Sequence, residues 1–182
     1  MRDESTSHSA TQKAPYLSAS YNWRVIPIPD DGGFKIVVDT REQKPVFDLS
    51  LPYVIRTKVD NGDYTLLGME SLVAIELKRM SDFMGYIGKE RKQHTEPKLV
   101  RLKPYVFKAL CVLESETSVL SPAQRYSRLS PEHVRGFLTA LHVKYGVVTY
   151  FNPDVVSMRR WMLDRLIYAY NYLRSTETMN ER

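Results

Sequence analysis

Leu72-Val73-Ala74-Ile75-Glu76-Leu77-Lys78-Arg79-Met80-Ser81-Asp82 passes from an apolar run into two charges spaced two apart, and then into a helix start. The run Leu72 to Glu76 reads as a buried strand. Residues two apart on a strand share a face, so Glu76 and Lys78 point to one side and Leu77 to the other. Ser81 is expected to cap a helix carrying Phe83, Met84 and Ile87.

Toward the N-terminus, the Gly68-Met69-Glu70-Ser71 turn joins this strand to another, Tyr64-Thr65-Leu66-Leu67. Asp60-Asn61-Gly62-Asp63 is a turn, and Tyr53 to Val59 alternates as a further strand. Three strands linked so closely predict an antiparallel meander. Phe34 to Val38 is a short β-branched run ending at Asp39, preceded by the turn Asp30-Asp31-Gly32-Gly33.

Toward the C-terminus, a basic helix is expected from about Lys89 to Leu102, then a strand from Val106 to Leu113 after Pro104. Ser121-Pro122 opens a polar segment with Arg125 and Arg128. Ser130-Pro131 starts a helix with Val134, Phe137, Leu138, Leu141 and Tyr145 at helical spacing, which Gly146 ends. Val147 to Phe151 is a strand. Asp154 opens a last helix whose inner face is Val155, Met158, Met162, Leu166, Ala169 and Leu173. The pattern is α/β: a mixed central sheet between helices, in three layers. Residues 1–20 are expected to be a disordered leader, 21–33 an extended segment packing on the body, 34–175 the domain and 176–182 a disordered tail.

The 182 residues favour one domain with a sizeable core, and 43% hydrophobic with 26% charged residues is ordinary for a globular protein. No apolar run approaches the roughly 20 residues of a membrane helix, and Met1 to Ser20 has no signal-peptide core. Cys111 is the one cysteine, which excludes an internal disulfide framework and a cysteine zinc site. An intracellular protein is expected, in the cytoplasm or nucleoid, or in the nucleus of a eukaryote. The net charge of +5 is concentrated: Lys78 to Lys108 holds nine basic residues against three acids. A polyanion fits such a stretch, and so does a solvated helix face.

Asp39, Asp63 and Glu76 sit at strand ends or turns, with Lys78 beside them. If the sheet forms, carboxylates and an ammonium converge. Carboxylate oxygens suit Mg²⁺ or Mn²⁺. A bound cation of this kind activates water and stabilises charge on a phosphate, which is what phosphodiester hydrolysis requires. The D…E-x-K pattern is by itself weakly specific.

Its context is more specific. Val37-Val38-Asp39-Thr40-Arg41-Glu42 resembles the D-x-R-E segment of the XPF family nuclease domain. Gly62-Asp63-Tyr64 resembles its G-D-Y, and Ile75 to Asp82 its E-R-K-x-x-x-D. Gly88-Lys89-Glu90-Arg91, Val112-Leu113-Glu114, Arg128-Leu129-Ser130-Pro131-Glu132 and Tyr145-Gly146-Val147 extend the likeness over about residues 34 to 172. The resemblance implies a restriction-endonuclease-like core and metal-dependent cutting of DNA, often at flaps, forks or branched junctions, in DNA repair or recombination. Carried over by position, Asp39, Asp63 and Glu76 match metal-site acids and Lys78 the catalytic lysine. Arg41 and Glu42 match first-motif residues, Asp82 the trailing acid and Arg91 a phosphate contact. Lys89, Lys92, Arg125 and Arg128 are further candidates for DNA phosphates. The cofactor implied is Mg²⁺ or Mn²⁺. The partners implied are DNA, a second copy through the nuclease domain, and a protein that supplies targeting.

The family's central Arg is Leu77 here, which keeps open a catalytically degenerate DNA-binding or scaffolding subunit. No tandem helix-hairpin-helix module is evident, so the likeness is to compact, stand-alone microbial or viral versions. Plainer readings stand beside each residue. Asp39 caps a loop with Arg41 as its partner; Glu76–Lys78 is a surface pair; Asp82 is the first-turn acid of a helix. His94, His133 and His142 show no ligand spacing. Tyr64, Tyr86, Tyr105 and Tyr126 are either stacking platforms or core and rim residues.

Overall fold

The structure is a computed structural model that describes residues 27–88, 93–121 and 129–180, without the side chains of 177–180. The expected leader, most of the segment packing on the body, Lys89, Arg91, Lys92, Arg125, Tyr126 and Arg128 lie outside the described residues.

A six-stranded sheet forms the middle layer. Its strands are β1 (Ile36–Asp39), β2 (Val54–Thr57), β3 (Tyr64–Leu66), β4 (Val73–Lys78), β5 (Phe107–Val112) and β6 (Val148–Phe151), in the order β2-β1-β3-β4-β5-β6. The helices are α1 (Met80–Ile87), α2 (Thr95–Arg101), α3 (Glu116–Leu120), α4 (Pro131–Tyr145) and α5 (Val155–Asn180). Alternation along the strands divides the apolar side chains between two cores. Val73, Ile75 and Leu77 of β4 and Ala109 and Cys111 of β5 pack with Met158, Met162, Leu166 and Ile167 of α5. Leu110 and Val112 of β5 face the other way, onto Phe83 of α1 and Val134, Phe137 and Leu141 of α4. The α/β sandwich expected from the sequence is the fold observed.

The meander is corrected. β3 and β4 are antiparallel, as expected, but β2 pairs parallel with β1 at the sheet edge, and β1 lies between β2 and β3. Burial explains the order. All four residues of β1 are buried, so it needs a strand on each side. β2 exposes Arg56 and Thr57 and suits an edge. The crossover between β1 and β2 contributes buried Val46 and Phe47, and the Val46 amide donates to the Tyr64 hydroxyl at 3.0 Å.

Helix ends show what the sequence encodes well and poorly. At α4, Ser130 accepts from the His133 amide, Pro131 occupies the first turn, and Gly146 closes the helix in the left-handed region at φ 64°. At α1 the N-cap is Arg79 rather than Ser81, without a side-chain cap bond, because the Phe83 amide already donates to the Arg79 carbonyl. Of the expected basic helix, α2 covers Thr95–Arg101. α5 continues into the expected tail, as far as Asn180, and Val155 on its first turn is exposed rather than inward. No helix of the described residues is long and apolar enough to cross a membrane.

Candidate active site

The turn before β3 fixes Asp63. Gly62 adopts φ 86°, and a Cβ there would lie 3.1 Å from the Ile75 carbonyl oxygen. Glycine therefore lets the turn press against β4. The Asp63 amide then donates to the Ile75 carbonyl at 2.8 Å, and the Asp63 carbonyl accepts from the Asp39 amide at 2.9 Å. Asp63 is held between β1 and β4. Its Oδ2 accepts from the Leu77 amide at 2.8 Å.

Glu76 and Lys78 project from one face of β4, as alternation requires. Lys78 Nζ lies 2.6 Å from Glu76 Oε1 and 3.6 Å from Asp63 Oδ2. Glu76 is 7% exposed. These three residues meet, and the plain surface pair is excluded for Glu76–Lys78. Burial pushes the Asp63 carboxyl up from 3.8 to about 6, and repulsion from Glu76 adds to this; Lys78 and the Leu77 amide oppose the rise. Burial alone pulls Lys78 down, but Glu76 and Asp63 outweigh it and raise the ammonium above its ordinary value.

Asp39 lies at the end of the adjacent strand but does not join this set. Its Oδ1 accepts from the Arg41 amide and Arg41 Nε, both at 2.7 Å; its Oδ2 accepts from Arg41 Nη2 at 3.0 Å and from the Val59 amide at 2.7 Å. Four donors occupy the acceptor directions of one carboxylate. In the metal-free protein Asp39 caps its loop and holds Arg41. Hydrogen bonding from Arg41 keeps its carboxyl low, at about 2. The Arg41 side chain is 66% exposed; the guanidinium that Asp39 orients also donates to the Val59 carbonyl and feels the charges of Asp63 and Glu76.

Arg41, Glu42, Asp63, Lys78 and Asp82 line one open cleft of about 320 Å³. Glu42 accepts from the Lys44 amide at 2.7 Å, so part of its role is to shape the loop. Asp82 is the acid in the first turn of α1, and it lies on the cleft wall. Tyr64 and Tyr105 are buried, which removes them as stacking platforms. His133 pairs with its own N-cap serine. Lys98 is the residue that the sequence reading missed at the site: its Nζ lies 3.8 Å from Glu76 Oε1. Its signal, one lysine within a basic stretch, gave no clue to which side of the helix would face β4.

Among the described residues, no group of three or more His, Cys, Asp or Glu is placed to hold a metal. The donor set still fits a hard divalent cation. Asp63 and Glu76 are two neighbouring carboxylates whose repulsion Lys78 offsets only in part, so that the Asp63 carboxyl stays raised, and Mg²⁺ is commonly bound by one or two carboxylates with waters and substrate phosphates completing its shell.

No protein-family model and no curated protein matches the chain. Solved structures do. XPF from Aeropyrum pernix in complex with DNA is 22% identical, with a TM-score of 0.57, over 76% of this chain and 65% of that one. XPF from Aeropyrum pernix in a second structure is 24% identical, with a TM-score of 0.50, over 70% of this chain and 61% of that one. The chain thus spans less than two thirds of the length of the structures it matches. What these likenesses establish is the architecture: the protein has the fold of an XPF-type nuclease domain, with a restriction-endonuclease-like mixed sheet between helices.

Proposed function

We propose that the protein is a Mg²⁺- or Mn²⁺-dependent endonuclease that hydrolyses DNA phosphodiester bonds, with branched or flap-like DNA as its substrate. The observation that carries this reading is the meeting of Asp63, Glu76 and Lys78, which with Arg41 and Lys98 line a cavity of about 190 Å³, on a fold similar to that of an XPF solved with DNA. Asp63 and Glu76 would hold the cation. When bound, it supplies an acidified water and neutralises phosphate charge.

The chain's own groups do the rest. Lys78 stays protonated between its two carboxylates. It is a fixed positive charge that orients the attacking water and stabilises negative charge developing on the phosphate oxygens. Arg41, braced by Asp39 at the mouth of the cleft, takes a phosphate with its exposed edge. Glu42 and Asp82 supply negative rim that keeps the phosphate toward Arg41 and Lys78. Lys89, Arg91, Lys92, Arg125 and Arg128 are the further phosphate contacts of this proposal, and affinity falls steeply as salt rises. A homodimer through this domain, a targeting protein partner and an intracellular location complete the proposal.

The test is incubation of the purified protein with flap, fork, single-stranded and duplex DNA in Mg²⁺, Mn²⁺ or EDTA. Cutting that needs metal and disappears in Asp63→Ala or Lys78→Ala, with binding kept, supports the enzyme. Binding without cutting in any metal supports the degenerate scaffold instead.

A further inference from the structure

Lys98 reaches Glu76 from α2, an element that neither Asp63 nor Lys78 belongs to. Its Nζ lies 3.8 Å from Oε1 of Glu76, the oxygen that Lys78 meets at 2.6 Å. The placement follows from how α2 is docked. Thr95 is buried and donates to the Tyr86 carbonyl at 2.8 Å, which ties α2 to α1. Arg101 Nε donates to Asn61 Oδ1 at 3.1 Å, and Asn61 Nδ2 donates to the Tyr105 hydroxyl at 3.0 Å, which ties α2 to the turn carrying Asp63. Leu99 is 2% exposed and pins the helix to the core. A residue three from Thr95 and three from Arg101 shares their side of the helix, and that residue is Lys98.

The two ammonium groups on Glu76 differ in freedom. Lys78 is 19% exposed and also close to Asp63; Lys98 is 50% exposed on a flexible stem. A divalent cation arriving at Glu76 competes with both, and Lys98 is the one with room to leave.

We propose that Lys98 is a phosphate-binding residue that exchanges partners. Without metal its ammonium offsets Glu76; when a divalent cation takes Glu76, it turns to a non-bridging phosphate oxygen of the DNA. This inference rests on the nuclease reading of the site. In free protein Lys98 opposes the cation. With DNA present its charge is met by phosphate, so it makes metal and DNA binding reinforce each other, and that coupling is reciprocal.

The experiment is Mn²⁺ binding to the full chain, followed by electron paramagnetic resonance, alone and with a short phosphorothioate-linked duplex. Wild type, Lys98→Gln, Lys98→Met and Lys98→Arg are compared. Lys98→Gln and Lys98→Met are expected to bind Mn²⁺ alone about threefold to tenfold more tightly, the scale of a half-exposed charge pair doubled by the cation's valence. The enhancement by duplex should shrink in both, and Lys98→Arg should keep it. Unchanged Mn²⁺ affinity and unchanged enhancement in the Gln and Met variants would overturn the role of Lys98. Wild type that binds no Mn²⁺, or Asp63→Asn that binds it equally well, would overturn the nuclease reading beneath it.

Discussion

The Leu77 amide donates to Asp63 Oδ2 at 2.8 Å, while the Leu77 side chain, 7% exposed, enters the core on the opposite face of β4. The backbone at this position serves the site and the side chain serves the fold. A leucine side chain at position 77 therefore leaves the placement of Asp63 intact. Leu77→Ala should lower unfolding stability in urea by about 2–5 kcal/mol, the cost of a buried leucine, and leave Mn²⁺ binding unchanged in the folded protein. Lost metal binding at undiminished stability would show that the side chain acts on the site directly.

Asp63 gives the metal-free protein a pH dependence of definite sign. Its folded pKa of about 6 stands above its ordinary 3.8. Folding is therefore penalised once the group is ionised in both states, above about pH 6, and the penalty is relieved as pH falls from 6 toward 4. The shift corresponds to roughly 2–3 kcal/mol. Asp63→Asn keeps an acceptor for the Leu77 amide and removes the charge. In EDTA at neutral pH it should melt higher than wild type, with the gap closing near pH 4. Equal melting at neutral pH would mean that the Asp63 carboxylate carries no such strain.

The readable parts of the sequence were those where local chemistry and tertiary need agree. Ser130, Pro131 and Gly146 delimit α4 because cap and turn preferences are set within a few residues. Alternation placed Glu76 and Lys78 together because β4 is a regular strand. What was missed depends on partners distant in the chain. β2 goes to the edge because β1, fully buried, needs two neighbours, and spacing along the chain carries no record of that. Asp39 was legible in two ways, as a metal acid or as a loop cap with Arg41. The Val59 amide, twenty residues away, completes the second arrangement.

Asp39→Asn tests that arrangement. An amide presents donors where Arg41 and Val59 already donate, so the loop loses its brace. Asp39 has a depressed pKa, so its stability contribution is present above its ordinary 3.8 and is lost as pH falls toward about 2. The variant should be less stable at pH 7 by about 2 kcal/mol, the value of the shift, and match wild type near pH 2. Mn²⁺ affinity should change little, and KM for DNA should rise as Arg41 loses its orientation. A large loss of Mn²⁺ affinity with KM unchanged would restore Asp39 to the metal set.

Lys78 separates charge balance from catalysis within one residue. In the metal-free protein its ammonium is what lets Asp63 and Glu76 lie side by side. Lys78→Met keeps the length of the stem and removes the charge, so the two carboxylates face each other unrelieved. The variant should melt lower than wild type in EDTA and gain more than wild type when Mn²⁺ is added, because the cation then supplies the missing charge. Cutting follows the opposite course. The fixed charge near the reacting phosphate is gone, and kcat should fall by about 10²–10³-fold, the loss typical of one transition-state stabilising group. Metal restores the fold and leaves the chemistry broken; a variant rescued in both by Mn²⁺ would show that Lys78 only balances charge.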